Sequence, residues 1–484
     1  GTTGGTFSAS SGVVVNATTG EVDIAATGLG AHTITYSVAN GICVDSLNLV
    51  IRILDVTPGF NYGTDTSFCI NGTDPSPIIT AAAGGTFSVP TGLAIDSLTG
   101  VIDVSASTAG NYDILYTPPV FGPLGQDVDG EAAQDFAGSS VALNAAGNRM
   151  IVGAYGNDGA GGTAGHARIY EWNGTTWNQL GADIDGEAAG DQSGWSVAMS
   201  GNGNRVIVGA RFNDGNNSNS GHVRMYQWSG SAWVQMGADI DGESALDQFG
   251  YAVSMNDAGD RIAVGAINND GNNSNSGHVR IYSWNGTSWG QVGADIDGEA
   301  GGDQSGYAVS LNAAGDKVVI GAASNDAGNF NNGHVRVYSY DGTSWSQQGQ
   351  DIDGVDADDQ LGYAVSINAA GNRIAVAAPY HDGSGFDVGQ VKVFNWNGTI
   401  WVQYGQSIDG EATGDEFGSS IAMNAAGDRL IIGAKNNSGT QTLAGHSRVF
   451  TWSDTTWVQL GDDLEGENIE DYSGNAVAIL SLIH

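Results

Sequence analysis

Short apolar runs and polar turns alternate along most of this chain, and the runs return on a fixed step. One unit reads "DQFGYAVSMNDAGDRIAVGAINNDGNNSNSGHVRIYSWNGTSWGQVGADIDGE". Its segments "GYAVSMN", "RIAVGA", "HVRIYSW" and "SWGQVGA" are of strand length and rich in β-branched or aromatic residues. Between them lie "DAGD", "INNDGNNSNSG" and "NGT", all turn chemistry. No segment sustains helical periodicity. The pattern predicts four antiparallel strands per unit.

The step is 56 residues. It places an acid at Asp129, Asp185, Asp241, Asp297, Asp353, Asp409 and Glu465, and a tryptophan at Trp177, Trp233, Trp289, Trp345, Trp401 and Trp457. Four-stranded units repeated this way are the signature of a β-propeller, so the fold class is expected to be all-β. "DQFGYAV" followed by "RIAVGA", and "DEFGSSIAMNAAGDRLIIGA" from Asp415, resemble the FG-GAP repeat of integrin α-chain propellers and of many bacterial surface proteins. That resemblance implies seven blades and an adhesive or ligand-binding role. Residues 119–484 are then the propeller, with units 126–181, 182–237, 238–293, 294–349, 350–405 and 406–461. A partial seventh at 462–484 leaves the repeat at "ILSLIH". "VFGPLG" before Gln126 aligns with "TWNQLG" one step later, which suits an outer strand closing the ring.

The first 118 residues repeat with another step. "GGTFSASSGVVVNATTGEVDI" from Gly4 matches "GGTFSVPTGLAIDSLTGVIDV" from Gly84, and Tyr36 matches Tyr116, all 80 apart. These segments resemble the Ig-like or cadherin-like modules of large secreted bacterial proteins, notably in the Bacteroidetes. The resemblance implies β-sandwich modules at 1–54, which lacks its start, and 55–118. It also implies that an early cysteine pairs within its own module. The position for a partner of Cys69 holds Pro123, so either Cys43 and Cys69 pair across the junction or both lack partners here. Both outcomes suit an oxidising, extracellular location.

Charge narrows the partners. Acids number 53 against 15 Lys plus Arg, a formal net charge of -38. Such a field repels nucleic-acid phosphates and attracts cations. No apolar run approaches the ~20 residues of a membrane span, so no direct membrane insertion is expected. Twelve of the cations fall at two repeat positions, Arg149 and Arg168 with their equivalents, which suggests pairing with blade acids. Five histidines share one position, His166, His222, His278, His334 and His446, with Gln390 in the fifth unit. A residue made five times is expected to cap or pack the third strand; a ring of metal ligands is the alternative. No unit shows a unique polar cluster, so no catalytic residue is assigned.

The acidic turns are the candidate site. In "GADIDGEAAGDQSG", Asp183, Asp185, Glu187 and Asp191 occupy positions 1, 3, 5 and 9. The same positions hold Asp127, Asp129, Glu131 and Asp135; Asp239, Asp241, Glu243 and Asp247; and Asp295, Asp297, Glu299 and Asp303. Alternate carboxylates around a tight loop suit Ca²⁺ or another divalent cation. Asp-Gly and an N–H-capping aspartate equally suit a plain blade-to-blade turn. The glycine sits at position 4 rather than 6, and the turn precedes the "FG" strand, so the integrin calcium loop is not carried over. Val355 and Ser407 replace acids in the fifth and sixth turns and should weaken any cation there. Topology puts these turns on one face with the loops holding Asn213 and Asp214, Asn269 and Asp270, and Asn325 and Asp326.

The expected function is an extracellular, non-catalytic binding or adhesion module, with a glycan or cell-surface protein as partner. A subunit of a self-assembling fibre or sheath, binding copies of itself, is the alternative. A glycan-active enzyme ranks last.

Overall fold

A computed structural model describes residues 122–479, apart from 327 and 440, and scattered stretches of the first 118. The chain divides into two compact units, Gly1–Pro118 and Pro119–His484. In the first unit Thr6–Ala9, Gly30–Asn40 and Cys43–Ile53 form one antiparallel sheet in that order. Phe7 lies opposite Tyr36, and eighty residues on Phe87 lies opposite Tyr116. The sequence repeat is thus a repeat of strand register. The Phe87 and Tyr116 rings pack at 4.8 Å and both are buried. The described residues do not show the two facing sheets of an Ig-like sandwich. Cys69 and the side chain of Cys43 lie outside them, and the disulfide reading with them.

The second unit is a β-propeller of six blades, each a five-stranded antiparallel sheet. Blade 1 runs through Ala137–Leu143, Arg149–Ala154, His166–Trp172, Trp177–Gln179 and Ile184–Asp185. Blades 2 to 6 follow over 193–241, 249–297, 308–353, 364–409 and 417–465. Two expectations need correction. The blades number six, not seven: among the described residues after Glu465 no further sheet forms, and Ser473 merely bridges to Gly445. The reason is local, since "ILSLIH" stands where the hairpin into a second strand should be. Each blade also has a fifth strand. The "ID" of the acidic turn pairs with the third strand, His166 opposite Asp185, beside the fourth strand on the same edge.

Two contacts hold neighbouring blades together. On the inner strands, Gly153 sits so close to the carbonyl of Gly194 in the next blade that no Cβ fits between them. Gly209 and Gly250, Gly265 and Gly306, and Gly321 and Gly362 repeat the contact. Gly194 has φ +84° and lies in a β-bulge, where the register slips between Ser193 and Ser196. On the outer strands, paired tryptophans such as Trp228 and Trp233 pack at 5.4 Å. The Trp233 Nε1–H donates to the Leu180 carbonyl of the blade before at 2.7 Å, and Trp289 and Trp401 do the same. The apolar core lies between sheets: Ile207 and Met225 of blade 2 meet Phe249 and Ile262 of blade 3.

Residues 122–127 dock on blade 1 in the same way. Trp177 Nε1–H donates to the Leu124 carbonyl at 3.0 Å, and Gln126 bonds the Trp177 backbone. Among the described residues this segment joins no sheet as a closing strand.

Candidate functional site

The four acids of one turn do not converge on one point. Position 9 is buried and structural. Asp191 Oδ2 accepts from Ala188 N–H at 3.0 Å and from the Asn213 amide at 2.9 Å. Asp135, Asp247 and Asp303 accept the equivalent N–H from Ala132, Ser244 and Ala300. Position 3 lies on the fifth strand, and its backbone carbonyl is gripped by an arginine of the next blade. Arg168 donates to Asp129 O at 2.6 Å, and Arg336 to Asp297 O at 2.8 Å. The position 9 carboxylate and the position 3 carbonyl are thus engaged by groups of the fold.

Positions 1 and 5 instead belong to two different sites, one on each side of the turn. Asp183 faces His166 of the blade before it, while Glu187 faces His222 of the blade after it. Blades 1 to 4 thus each gather a glutamate from the turn that enters the blade, its own histidine, and an aspartate from the turn that leaves it. The sets are Glu131, His166 and Asp183; Glu187, His222 and Asp239; Glu243, His278 and Asp295; and Glu299, His334 and Asp351. In each, one ligand atom per residue lies within 4.8 Å of the others, a set that could hold a metal ion. In blade 6, His446 Nδ1 stands 3.9 Å from Asp463, and Glu411 pairs with Arg448. Asp127 and Asp129 precede blade 1, and Asp127 enters none of these four sets.

The histidine is the odd member. It is 1–2% exposed in all five blades, on the third strand. The Nδ1 of His166, His222 and His334 is buried without a hydrogen-bond partner, at 3.8–3.9 Å from carboxylate oxygens. Burial, aided by the neighbouring arginine, lowers His222, His278 and His334 to about 4, so they are neutral near pH 7. The carboxylates are half used. Asp351 Oδ1 accepts from Gln347, and Glu299 Oε1 faces Arg336 at 3.4 Å while its Oε2 faces His334. Burial and then the charge two residues earlier raise Asp241, Asp297 and Asp353. In blade 3, Arg280 turns inward and forks onto Asp295, whose carboxyl its hydrogen bonds hold below the ordinary range.

The second-to-third-strand loops lie beside these turns. The Asn216 and Asn217 amides donate to Gly242 O and Glu243 O, and Asn272 donates to Gly298 O. Turn and loop thus share one end of the propeller. Asn213, Asn269 and Asn325 are buried rather than presented to solvent. Asp214, Asp270 and Asp326 are exposed, and each caps its own loop by accepting from an N–H five residues on. At the other end, Asn173, Asn285 and Asn397 of the "NGT" turns accept from backbone N–H groups in their own turns. Of the two arginine series, the Arg168 series faces acids. In the other, Arg149 also pairs with Glu171, while Arg261 and Arg373 reach carbonyls of the next blade.

Sequence reasoning missed one group, at the inner edges of the blades. Trp195, Tyr251, Tyr307 and Tyr363 pack in a tilted series with centroids 5.0–5.8 Å apart, and Arg211 lies 3.2 Å over Trp195. Burial, with Tyr251 and Tyr363, pushes the Tyr307 phenol far up. Beside this series Glu416 bonds Lys435 at 3.0 Å and Asn436 at 2.6 Å. Among the described residues this is the one place in the series where a carboxylate and an ammonium pair, in contrast to the Gln192–Arg211 and Gln304–Ser324 contacts at equivalent positions. Its signal was present: Glu416 stands where other units have Gln192, Gln248, Gln304 and Gln360. Variable repeat positions mark the site, and repeat matching discards them.

The FG-GAP repeat family matches residues 183–226 and 240–282. No curated protein matches the chain. Among solved structures, a Bacteroides uniformis protein provisionally named a 6-phosphogluconolactonase is similar with TM-score 0.51 and 9% identity. That match covers 79% of this chain and 97% of the other. A periplasmic gluconolactonase of Pseudomonas aeruginosa is similar with TM-score 0.50 and 14% identity, over 79% and 96%. At such identities the likeness is one of fold alone. The chain carries FG-GAP repeats, and they build a β-propeller.

Proposed function

We propose that this chain is an extracellular, non-catalytic binding module, its propeller carried on Ig-like modules and engaging a glycan or a cell-surface protein. One observation supports this above the rest: equivalent acidic turns and Asn/Ser/Gly-rich loops are stitched together on one end of the propeller. A rigid surface that repeats its polar groups suits a partner that repeats its own, and preorganised loops lose little entropy on binding. The acidic charge leaves a neutral or cationic partner. Binding of the whole chain to a glycan array and to cells tests the reading. Replacing exposed Asn217 and Ser218 and their equivalents by alanine should weaken binding at least tenfold, while changes to the "NGT" turns at the other end should not. Equal effects from both ends would refute it, and ordered polymers without ligand would favour self-assembly.

A second reading, an enzyme acting on a glycan, is supported by Glu416 with Lys435 and Asn436 beside the aromatic series. Glu416→Gln abolishing a hydrolytic activity of the intact chain would select it.

A further inference from the structure

Blade 5 departs from the others at several scattered places in the sequence. Val355 replaces the glutamate, Gln390 the histidine and Ser407 the first aspartate, in three separate segments. In space the three positions are one site, because blade 5 takes its glutamate position from the turn before it and its aspartate position from the turn after it. Lys392 replaces the arginine of the same site. Five blades keep Glu, His and Asp together, and one has lost all three. Residues that served only their own turns would have no reason to disappear together. These three depend on one another.

The side chains show what the dependence concerns. Gln390 Nε2 donates to Asp409 Oδ1 at 2.7 Å, so its half-buried amide is satisfied within the blade. The histidines are not: the Nδ1 of His166, His222 and His334 is buried, unpartnered and aimed between two carboxylates. An orphaned buried nitrogen is destabilising, yet five blades carry this histidine. From this geometry we infer that each Glu–His–Asp set binds a borderline divalent cation of the Zn²⁺ class through imidazole nitrogen and two carboxylate oxygens, giving sites in blades 1, 2, 3, 4 and 6; blade 5 lacks the set, and its different group, Asp356, Asp359 and His381, already spends the imidazole on Asp359 at 3.2 Å.

The ligand chemistry selects the ion. Ca²⁺ and Mg²⁺ take all-oxygen shells, whereas imidazole with carboxylates suits Zn²⁺, Co²⁺ or Ni²⁺. Ligand atoms 2.0–2.2 Å from a tetrahedral ion stand roughly 3.4 Å apart. The 3.8–4.0 Å separations close to that with a small shift of carboxylates 24–50% exposed. The Arg336 contact to Glu299 Oε1 leaves its Oε2 toward His334, while Gln347 orients Asp351 through Oδ1. Two carboxylates and one arginine leave a net negative site. The fork of Arg280 onto Asp295 makes blade 3 the weakest of the five.

The test uses the tag-free whole chain with Zn²⁺ or Co²⁺ in a non-chelating buffer. Calorimetric titration should give five ions per chain, and Co²⁺ should show visible absorption that excess Ca²⁺ does not abolish. Glu187→Val with His222→Gln copies blade 5, a combination the fold already carries, and should remove one ion. Val355→Glu, Gln390→His, Lys392→Arg and Ser407→Asp together should add a sixth. Overturning results are no saturable binding below millimolar Zn²⁺, a stoichiometry unmoved by the blade 2 variant, or displacement of Co²⁺ by equimolar Ca²⁺. The reading does not depend on adhesion, since the ions are counted without any partner.

Discussion

Blade 2 and blade 5 are built on the same frame and part most clearly at the Glu–His–Asp position. Both keep the tryptophan pair at 5.4 Å, Trp228 with Trp233 and Trp396 with Trp401. Both send the second indole N–H to the preceding blade, and both close the third strand with the "ID" strand. Blade 2 then buries a histidine against two carboxylates, and blade 5 puts Val355, Gln390 and Ser407 in the same space. The repeat therefore has two layers. The frame fixes the blade and tolerates little, while the Glu–His–Asp layer is dispensable to folding.

Acid should separate the layers most strongly. His222, His278 and His334 titrate at about 4 in the fold, against an ordinary 6.5, because burial and then the adjacent arginine oppose the charged ring. The unfolded chain takes up protons that the folded chain refuses. Stability is therefore complete above 6.5 and declines as pH falls towards 4, by as much as about 3 kcal/mol per histidine. Asp241, Asp297 and Asp353, raised by burial, act oppositely near 4 and temper the end of the decline. Thermal melts in chelator should show the loss, and hydrogen exchange should place it in the histidine blades before blade 5. A melting temperature flat from pH 7 to 4.5 would mean that these rings are not buried neutral.

Breaking the frame should do comparable damage at any pH. A Cβ on Gly265 would strike the Gly306 carbonyl of the next blade, so Gly265→Val is expected to cost about 3 kcal/mol or more. Blade 5 sharpens the point: it carries Ala377 at this position, and that methyl meets Gly418 at 3.0 Å where its Cβ would lie. Gly265→Ala should cost less than Gly265→Val but still more than about 1 kcal/mol, because the Gly306 backbone must move before any Cβ fits, with the melting temperature as the readout.

Much of the frame was legible because it recurs. Strand length, turn chemistry and the 56-residue step identify the propeller, and the aromatic spacing marks blade edges. The number of blades was not, because residues 462–484 share a start with the repeat but lack its second hairpin. The acids were visible as a cluster, yet their partners were not. Counting along one turn groups Asp183 with Glu187, whereas the fifth strand carries Asp183 to blade 1 and leaves Glu187 to blade 2. The histidine, 17 residues before one partner and 35 after the other, could join them only once the sheet was known. Val355, Gln390 and Ser407 were each noticeable as a defect; that they are one defect is a fact of the fold.

The smallest effect discriminates best between a histidine kept for stability and one kept for a ligand. In the metal-free chain His222 lies opposite Asp241 in the strand register, as Gln390 lies opposite Asp409. Gln390 uses that position to donate to Asp409 Oδ1. His222→Gln should therefore gain a hydrogen bond and relieve an orphaned nitrogen, raising stability by about 1 kcal/mol. The reverse change, Gln390→His, places an imidazole beside Val355 and Ser407 with no carboxylate at either position, and should cost about the same. The two substitutions are chemical inverses, so opposite signs of near-equal size are expected from melts of the two variants. If His222→Gln instead destabilises the metal-free chain, the imidazole is a packing element in its own right. A gain would mean that blade 2 keeps a residue worse for the fold than the one blade 5 uses, which is how functional sites commonly trade against stability.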